Sequence, residues 1–149
     1  MPTVSDQIRK LIVSAKPELL KIPPDAATQK ISPESWSKQE LLGHLIDSAA
    51  NNHQRFVRGA HNAAGDFPPY QQTHWVEVQA YNTMPWVELV EFFAHYNFHL
   101  GRVIDVLPEE VLNNPCNIGQ AEPATLSFVI EDYLRHLRQH LEEILGPLA

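Results

Sequence analysis

Two histidines four residues apart stand near the C-terminal end of the chain, in Asp132-Tyr-Leu-Arg-His136-Leu-Arg-Gln-His140. On a helix, positions i and i+4 share a face, with Cβ atoms about 5–6 Å apart. Two imidazoles at that spacing can bind one transition-metal ion side by side. A third candidate ligand, His44, lies far upstream. Spacing alone does not decide the matter. With 8 histidines in 149 residues, chance supplies roughly 0.4 pairs at any one spacing. The chain also carries a second pair, His95 and His99.

The faces around these residues say more. A helix through the C-terminal pair has an apolar arc of Ile130, Leu134, Leu137, Leu141, Ile144 and Leu145. His136 and His140 fall at its edge, beside Asp132, Tyr133 and Glu143. That edge either lines a cleft or is a boundary where rings pack on the core and nitrogens meet water. A helix through His44 has an apolar arc of Leu42, Leu45, Ile46, Ala49, Phe56 and Val57, with His53 in its middle. His53 is expected to be a hydrogen-bonded core residue. The opposite arc holds His44, Asp47, Ser48, Asn51 and Arg55. This is either a solvated face or the wall of a site with a ligand, a carboxylate, a hydroxyl, an amide and a cation. His95 and His99 flank an arc of Phe92, Tyr96, Leu100, Val103 and Leu107. They are a rival ligand pair or contributors to the same pocket. The chain has no glycine-rich phosphate loop, no H-E-x-x-H and no G-x-S-x-G.

The elements that must position these residues read as helices. The first starts at Ser5, capped by Ser5 or Thr3, and runs to about Lys16, or to Leu20 if Pro17 only kinks it. Pro23-Pro24 ends it. Ser37 with Glu40 forms a capping box ahead of an apolar run that reaches about Ala60. Gly65-Asp-Phe-Pro-Pro-Tyr70 is rich in helix breakers and reads as irregular, and Gln71 to Tyr81 as a short helix. Pro85 opens a long helix from Trp86 to about Val106. Pro108, Pro115 and Gly119 mark a loop. A last helix begins near Pro123-Ala-Thr and ends at Gly146-Pro147. There is no alternating strand pattern and no internal repeat. Four amphipathic helices with a long connection between the second and third predict an all-α four-helix bundle, one domain over residues 1–149.

Composition sets outer bounds. Of the residues, 44% are hydrophobic and 19% charged, ordinary values for a globular domain. The net charge of −7 comes without any Lys/Arg run. That argues against nucleic acid and anionic membrane surfaces as partners. No apolar run approaches the roughly 20 residues of a spanning helix, and the first residues lack the pattern of a signal peptide. The lone Cys116, in Asn-Asn-Pro-Cys-Asn, reads as a loop residue and fits a reducing cytoplasm.

Three stretches resemble the DinB/YfiT-like family of metal-binding four-helix proteins. They are the run from Trp36 through His44 to Arg55 and Phe56, then Pro68-Pro-Tyr70 with Trp75, then Tyr133-Leu-Arg-His136-Leu-Arg-Gln-His140. The resemblance spans about Trp36 to Leu145. It implies a divalent metal held by His44, His136 and His140, zinc or nickel first, manganese or iron also suiting imidazole. It also implies that Asp47, Ser48, Asn51 and Arg55 line a cleft. The reaction implied is transfer of a low-molecular-weight thiol to an electrophilic small molecule, with metal-dependent hydrolysis or non-catalytic stress-response binding as alternatives. Arg55 would then bind a carboxylate, and Asp47 and Asp132 would orient the ligand rings. A homodimer is compatible with the family. One departure is Leu137, where thiol-transferase-like members often carry a further histidine.

Overall fold

Short polar side chains set the helix starts. In the computed structural model, which describes residues 2–61 and 65–148, Thr3 rather than Ser5 caps the first helix, α1 (Val4–Lys21). Its hydroxyl accepts from the Asp6 amide, and Asp6 returns the bond to the Thr3 amide. Ser5 is instead buried inside the helix and hydrogen-bonds Asp105. Pro17 removes one backbone donor without ending α1. Ala15 and Leu19, fully buried on either side of it, hold the helix through the break. One turn, α2 (Pro24–Ala27), follows.

The expected capping box is present. The Ser37 hydroxyl and the Glu40 carboxylate each accept the other residue's amide at 3.0 Å, opening α3 (Lys38–His61). Next come β1 (Gly65–Asp66), α4 (Gln72–Gln79) and a 3₁₀ turn at Tyr81–Thr83. Ala80, in the left-handed region at φ 49°, ends α4 earlier than expected and drives Tyr81 under α3. Then follow α5 (Trp86–Val106), a 3₁₀ turn at Glu109–Asn113, β2 (Pro115–Asn117), β3 (Ala124–Thr125) and α6 (Leu126–Leu145).

The long helices α1, α3, α5 and α6 form a four-helix bundle, as expected. Its core includes Ile8, Ile12 and Leu19 of α1, Leu42 and Phe56 of α3, Phe93 and Leu100 of α5, and Leu137 and Leu141 of α6. Each such side chain contributes roughly 1.5–3 kcal/mol over leaving it exposed. Two polar ties fix the packing. The Trp86 indole donates to the Leu19 carbonyl at 3.0 Å. The Tyr133 hydroxyl donates to Asn97 at 2.5 Å, both residues being buried.

The absence of strands was expected, and the structure differs. A three-stranded sheet pairs β1 with β2 in parallel and β2 with β3 antiparallel. Cys116, expected in a loop, is the buried centre of β2. The sheet joins the segment just after α3 to the residues just before α6. No helix is long and apolar enough to cross a membrane, among the described residues.

Candidate metal centre

Helix α6 starts where the Thr125 hydroxyl accepts the Phe128 amide at 3.0 Å. Its buried stripe, Ile130, Leu134, Leu137, Leu141 and Ile144, turns His136 and His140 toward α3. On α3, burial of Leu42, Leu45, Ala49 and Phe56 turns His44 toward α6. The rings of His44 and His140 meet edge to face, 5.0 Å between centroids. His136 stacks on His140 at 5.9 Å. The three candidate ligands, far apart in sequence, therefore come to one place. Trp36 packs on the outer side of His44 at 4.9 Å.

His44, His136 and His140 line a cleft of about 130 Å³. Its α3 wall is His44, Ser48, Asn52 and Arg55, a stripe stepping four, four and three residues. Pro69 and Tyr70 of the middle connection close one side, and Asp132 and Tyr133 of α6 the other. Asp47 and Asn51 do not line it. Asp47 is 2% exposed and faces the middle connection. Its Oδ1 accepts from the Tyr81 hydroxyl at 2.6 Å and the Gln79 amide at 2.8 Å. Asn51 donates to the Asp47 carbonyl and borders a neighbouring hollow. Asn52, absent from the expected set, takes the place in the cleft that Asn51 was expected to fill. The sequence signal for it was the i+8 step from His44.

The α5 histidines lie elsewhere. His95 is largely exposed, 3.7 Å from Glu91. His99 is exposed, its ring 5.3 Å from that of His53. The His53 Nδ1 and the Tyr96 hydroxyl are 2.9 Å apart, so the hydrogen bond expected of His53 is present, but the residue is half-buried at the edge of the bundle rather than in its core.

Do the three imidazoles suit a metal ion? The Nδ1 atoms of His44 and His140 are buried without a hydrogen-bond partner. Glu143 comes within 3.2 Å of the latter, but not in hydrogen-bonding geometry. A buried polar atom left unpaired costs about 1–3 kcal/mol, and an ion would remove that cost. As they stand, no three His, Cys, Asp or Glu side chains among the described residues are arranged tightly enough to grip an ion. His136 has a side chain 46% exposed and so can swing toward the other two. In kind the donors suit such an ion, because neutral imidazole is a common ligand of divalent transition metals. Asp132 sits 3.9 Å from the His136 Nε2, too far for a hydrogen bond in the present rotamer.

Burial shapes the charge states. His44 is pushed down to about 4, by burial first and then by the nearby His140 and His136. Burial also lowers His136, against the pull of Asp132. The Tyr70 hydroxyl is pushed up to about 12 by burial and by Asp47. His44 makes stability depend on pH. The unfolded imidazole takes a proton near pH 6.5, the folded one only near 4. Between those values the unfolded chain binds more protons, so His44 costs stability as pH falls through this window, up to about 3 kcal/mol. Burial raises Asp47, which acts in the opposite direction. The difference between the metal-free protein and its His44→Gln variant isolates the histidine. In urea unfolding, the variant is expected to lose about 2–3 kcal/mol less between pH 7 and pH 4. Parallel pH profiles would show that His44 is not buried neutral.

A family model described as the DinB superfamily matches residues 5–144. Among solved structures, YfiT from Bacillus subtilis, described as a probable metal-dependent hydrolase with an unusual four-helix bundle topology, superposes with a TM-score of 0.83. The two are 15% identical, over 95% of this chain and 81% of YfiT. No curated protein matches the chain significantly by sequence.

Proposed function

Because the chain belongs to the DinB superfamily, we propose that it is a metal-dependent enzyme acting on a small electrophilic molecule in the cleft between α3 and α6. The observation that carries this is the meeting of His44 and His140, each with a buried, unpartnered ring nitrogen, beside His136. His44, His136 and His140 would hold the ion; zinc and nickel are the first choices, with manganese and iron also suited to imidazole. A divalent ion so held supplies Lewis acidity, which lowers the pKa of water or a thiol at an open position.

The chain's own groups do the remaining work. His44 stays neutral at pH 7, so its lone pair is available without displacing a proton. The Tyr133–Asn97 bond ties α6 to α5 about one turn before His136 and two before His140, which fixes their height in the cleft. Tyr70, its hydroxyl pushed up by burial, keeps its proton and can donate to an oxygen of the bound molecule. Arg55 supplies a cation to an anionic group.

Hydrolysis is the reaction that the likeness to YfiT supports. Thiol transfer is the second reading, favoured by Arg55, which can hold the carboxylate of a low-molecular-weight thiol. The test is turnover of 4-nitrophenyl acetate and 1-chloro-2,4-dinitrobenzene by zinc- and nickel-loaded protein, with and without added cysteine or glutathione. Hydrolysis predicts ester turnover without thiol. Transfer predicts turnover only with thiol. If metal binds stoichiometrically and neither electrophile is consumed above the free-ion rate, the enzyme reading gives way to a metal-binding one.

A further inference from the structure

The histidine cleft, at about 130 Å³, is small. Pockets that enclose a whole drug-sized molecule run to roughly 300–1,000 Å³. Only the reacting end of such a molecule fits, and the rest must leave past one of the walls. Arg55 stands in the wall that has open space on both of its sides. It lines the cleft and also a second hollow of about 350 Å³ on the outer side of α3. That hollow is bordered by Asn51, Arg58, Phe67, Pro68 and Trp75.

The two spaces share an aromatic wall. Tyr70 of the cleft meets Trp75 of the hollow edge to face at 5.5 Å. Phe67 carries the Arg58 guanidinium 4.9 Å above its ring. The charge is inverted relative to the rest of the molecule. A chain of net charge −7 places two arginines here against the single carboxylate of Asp66. Among the described residues, half-buried Arg55 makes no ion pair and no hydrogen bond. The Oδ1 of Asp132, also in the cleft, accepts from Arg135 Nη2 at 2.8 Å and Nε at 3.0 Å. A partly desolvated guanidinium with no acceptor favours an oxyanion, which it can grip with two parallel bonds.

We propose that the outer hollow is a second subsite, which takes the anionic and aromatic portion of a substrate whose reacting end lies among the histidines. The substrate class is then an elongated molecule bearing a carboxylate or phosphate near Arg55 and a planar or apolar group against the half-buried Trp75. This deepens the metal-enzyme reading and rests on it for the position of the reacting end.

Calorimetric titration with 1-naphthylacetate, 1-naphthyl phosphate and neutral 1-naphthylacetamide tests the subsite. The wild-type protein is expected to bind at least one anion about tenfold more tightly than the amide. Arg55→Met removes that preference, and Arg55→Lys keeps part of it. Trp75→Leu weakens all three probes while leaving the preference. The His136→Ala, His140→Ala protein, which lacks two proposed metal ligands, retains the preference. Equal binding of acids and amide, failure of all three to bind, or a preference unchanged in Arg55→Met overturns the subsite. A preference lost in the double-histidine protein also overturns it, because the anion then sits on the metal site, and leaves the metal reading standing. Which anion binds more tightly decides between carboxylate and phosphate.

Discussion

Replacing His136 and His140 together by alanine is expected to reduce bound metal from about one ion per chain to background. Turnover should fall by roughly a thousandfold, because Lewis-acid assistance supplies several kcal/mol of transition-state stabilisation. The loss should be specific rather than a failure to fold. The His136 side chain is 46% exposed and that of His140 18% exposed. Removing His136 leaves little cavity, and the small one left by the mostly buried His140 is offset in part by deleting its unpartnered Nδ1. The metal-free variant should therefore melt within about 3 °C of the metal-free parent. What it loses is the rise in melting temperature that the parent shows when zinc or nickel is added. His44→Ala should lose metal too, but with a lower melting temperature, because His44 is 4% exposed and packs on Trp36. Elemental analysis and melting curves decide the matter. A stoichiometric ion surviving in the double variant would remove both residues from the site and turn attention to His53, His95 and His99.

Gly43→Ala is expected to destabilise the protein by about 3 kcal/mol, although helix propensity alone predicts a gain of roughly 1 kcal/mol. Gly43 lies inside α3, where alanine is the better helix former. A Cβ built there falls 2.2–2.5 Å from three atoms of the Tyr81 ring. Cγ is among them, close to the backbone, so the ring cannot swing clear. Overpacking of this kind costs about 1–3 kcal/mol. Displacing Tyr81 also strips Asp47 of its 2.6 Å hydrogen bond, a further 1–3 kcal/mol or so for a buried acceptor. The clash outweighs the propensity. In a chain of this length the melting temperature should drop by about 6–10 °C. A second substitution, Tyr81→Leu, makes room and should recover part of the loss in a double-mutant cycle. Additive effects of the two would mean that Gly43 and Tyr81 do not interact. His44 is the next residue, so metal affinity of Gly43→Ala should weaken as well.

Much of this fold can be read in the sequence. The Ser37–Glu40 box and the apolar arcs of α3, α5 and α6 place three bundle helices to within a residue or two, because each spans five turns or more. The extent of α1 is less legible, because Pro17 permits both a stop and a passage. Packing of Ala15 and Leu19 decides it. The sheet is invisible for a different reason. Strands of two and three residues cannot show alternation, and β1 pairs with β2 some fifty positions away. The site is legible in part. A helical wheel groups Asp47, Ser48, Asn51 and Arg55 with His44. It does not tell which flank of that arc meets α6 and which meets the middle connection. Ser48, Asn52 and Arg55 lie on the first side, Asp47 on the second. Only the path of residues 65–83 separates them.

The position of Cys116 makes the protein its own reporter of breathing. Its thiol is fully buried in β2, 3.0 Å from the point where a side chain on Gly59 would begin. Burial holds it protonated, and the thiolate is the reactive form. A thiol reagent can modify it only when the short sheet opens. That sheet clasps the end of the helix bearing His44 to the start of the helix bearing His136 and His140. The labelling rate in native buffer thus times the separation of the two walls of the cleft, with no introduced probe and no other cysteine to confuse the signal. A ligand that bridges those walls should slow the labelling in proportion to its occupancy.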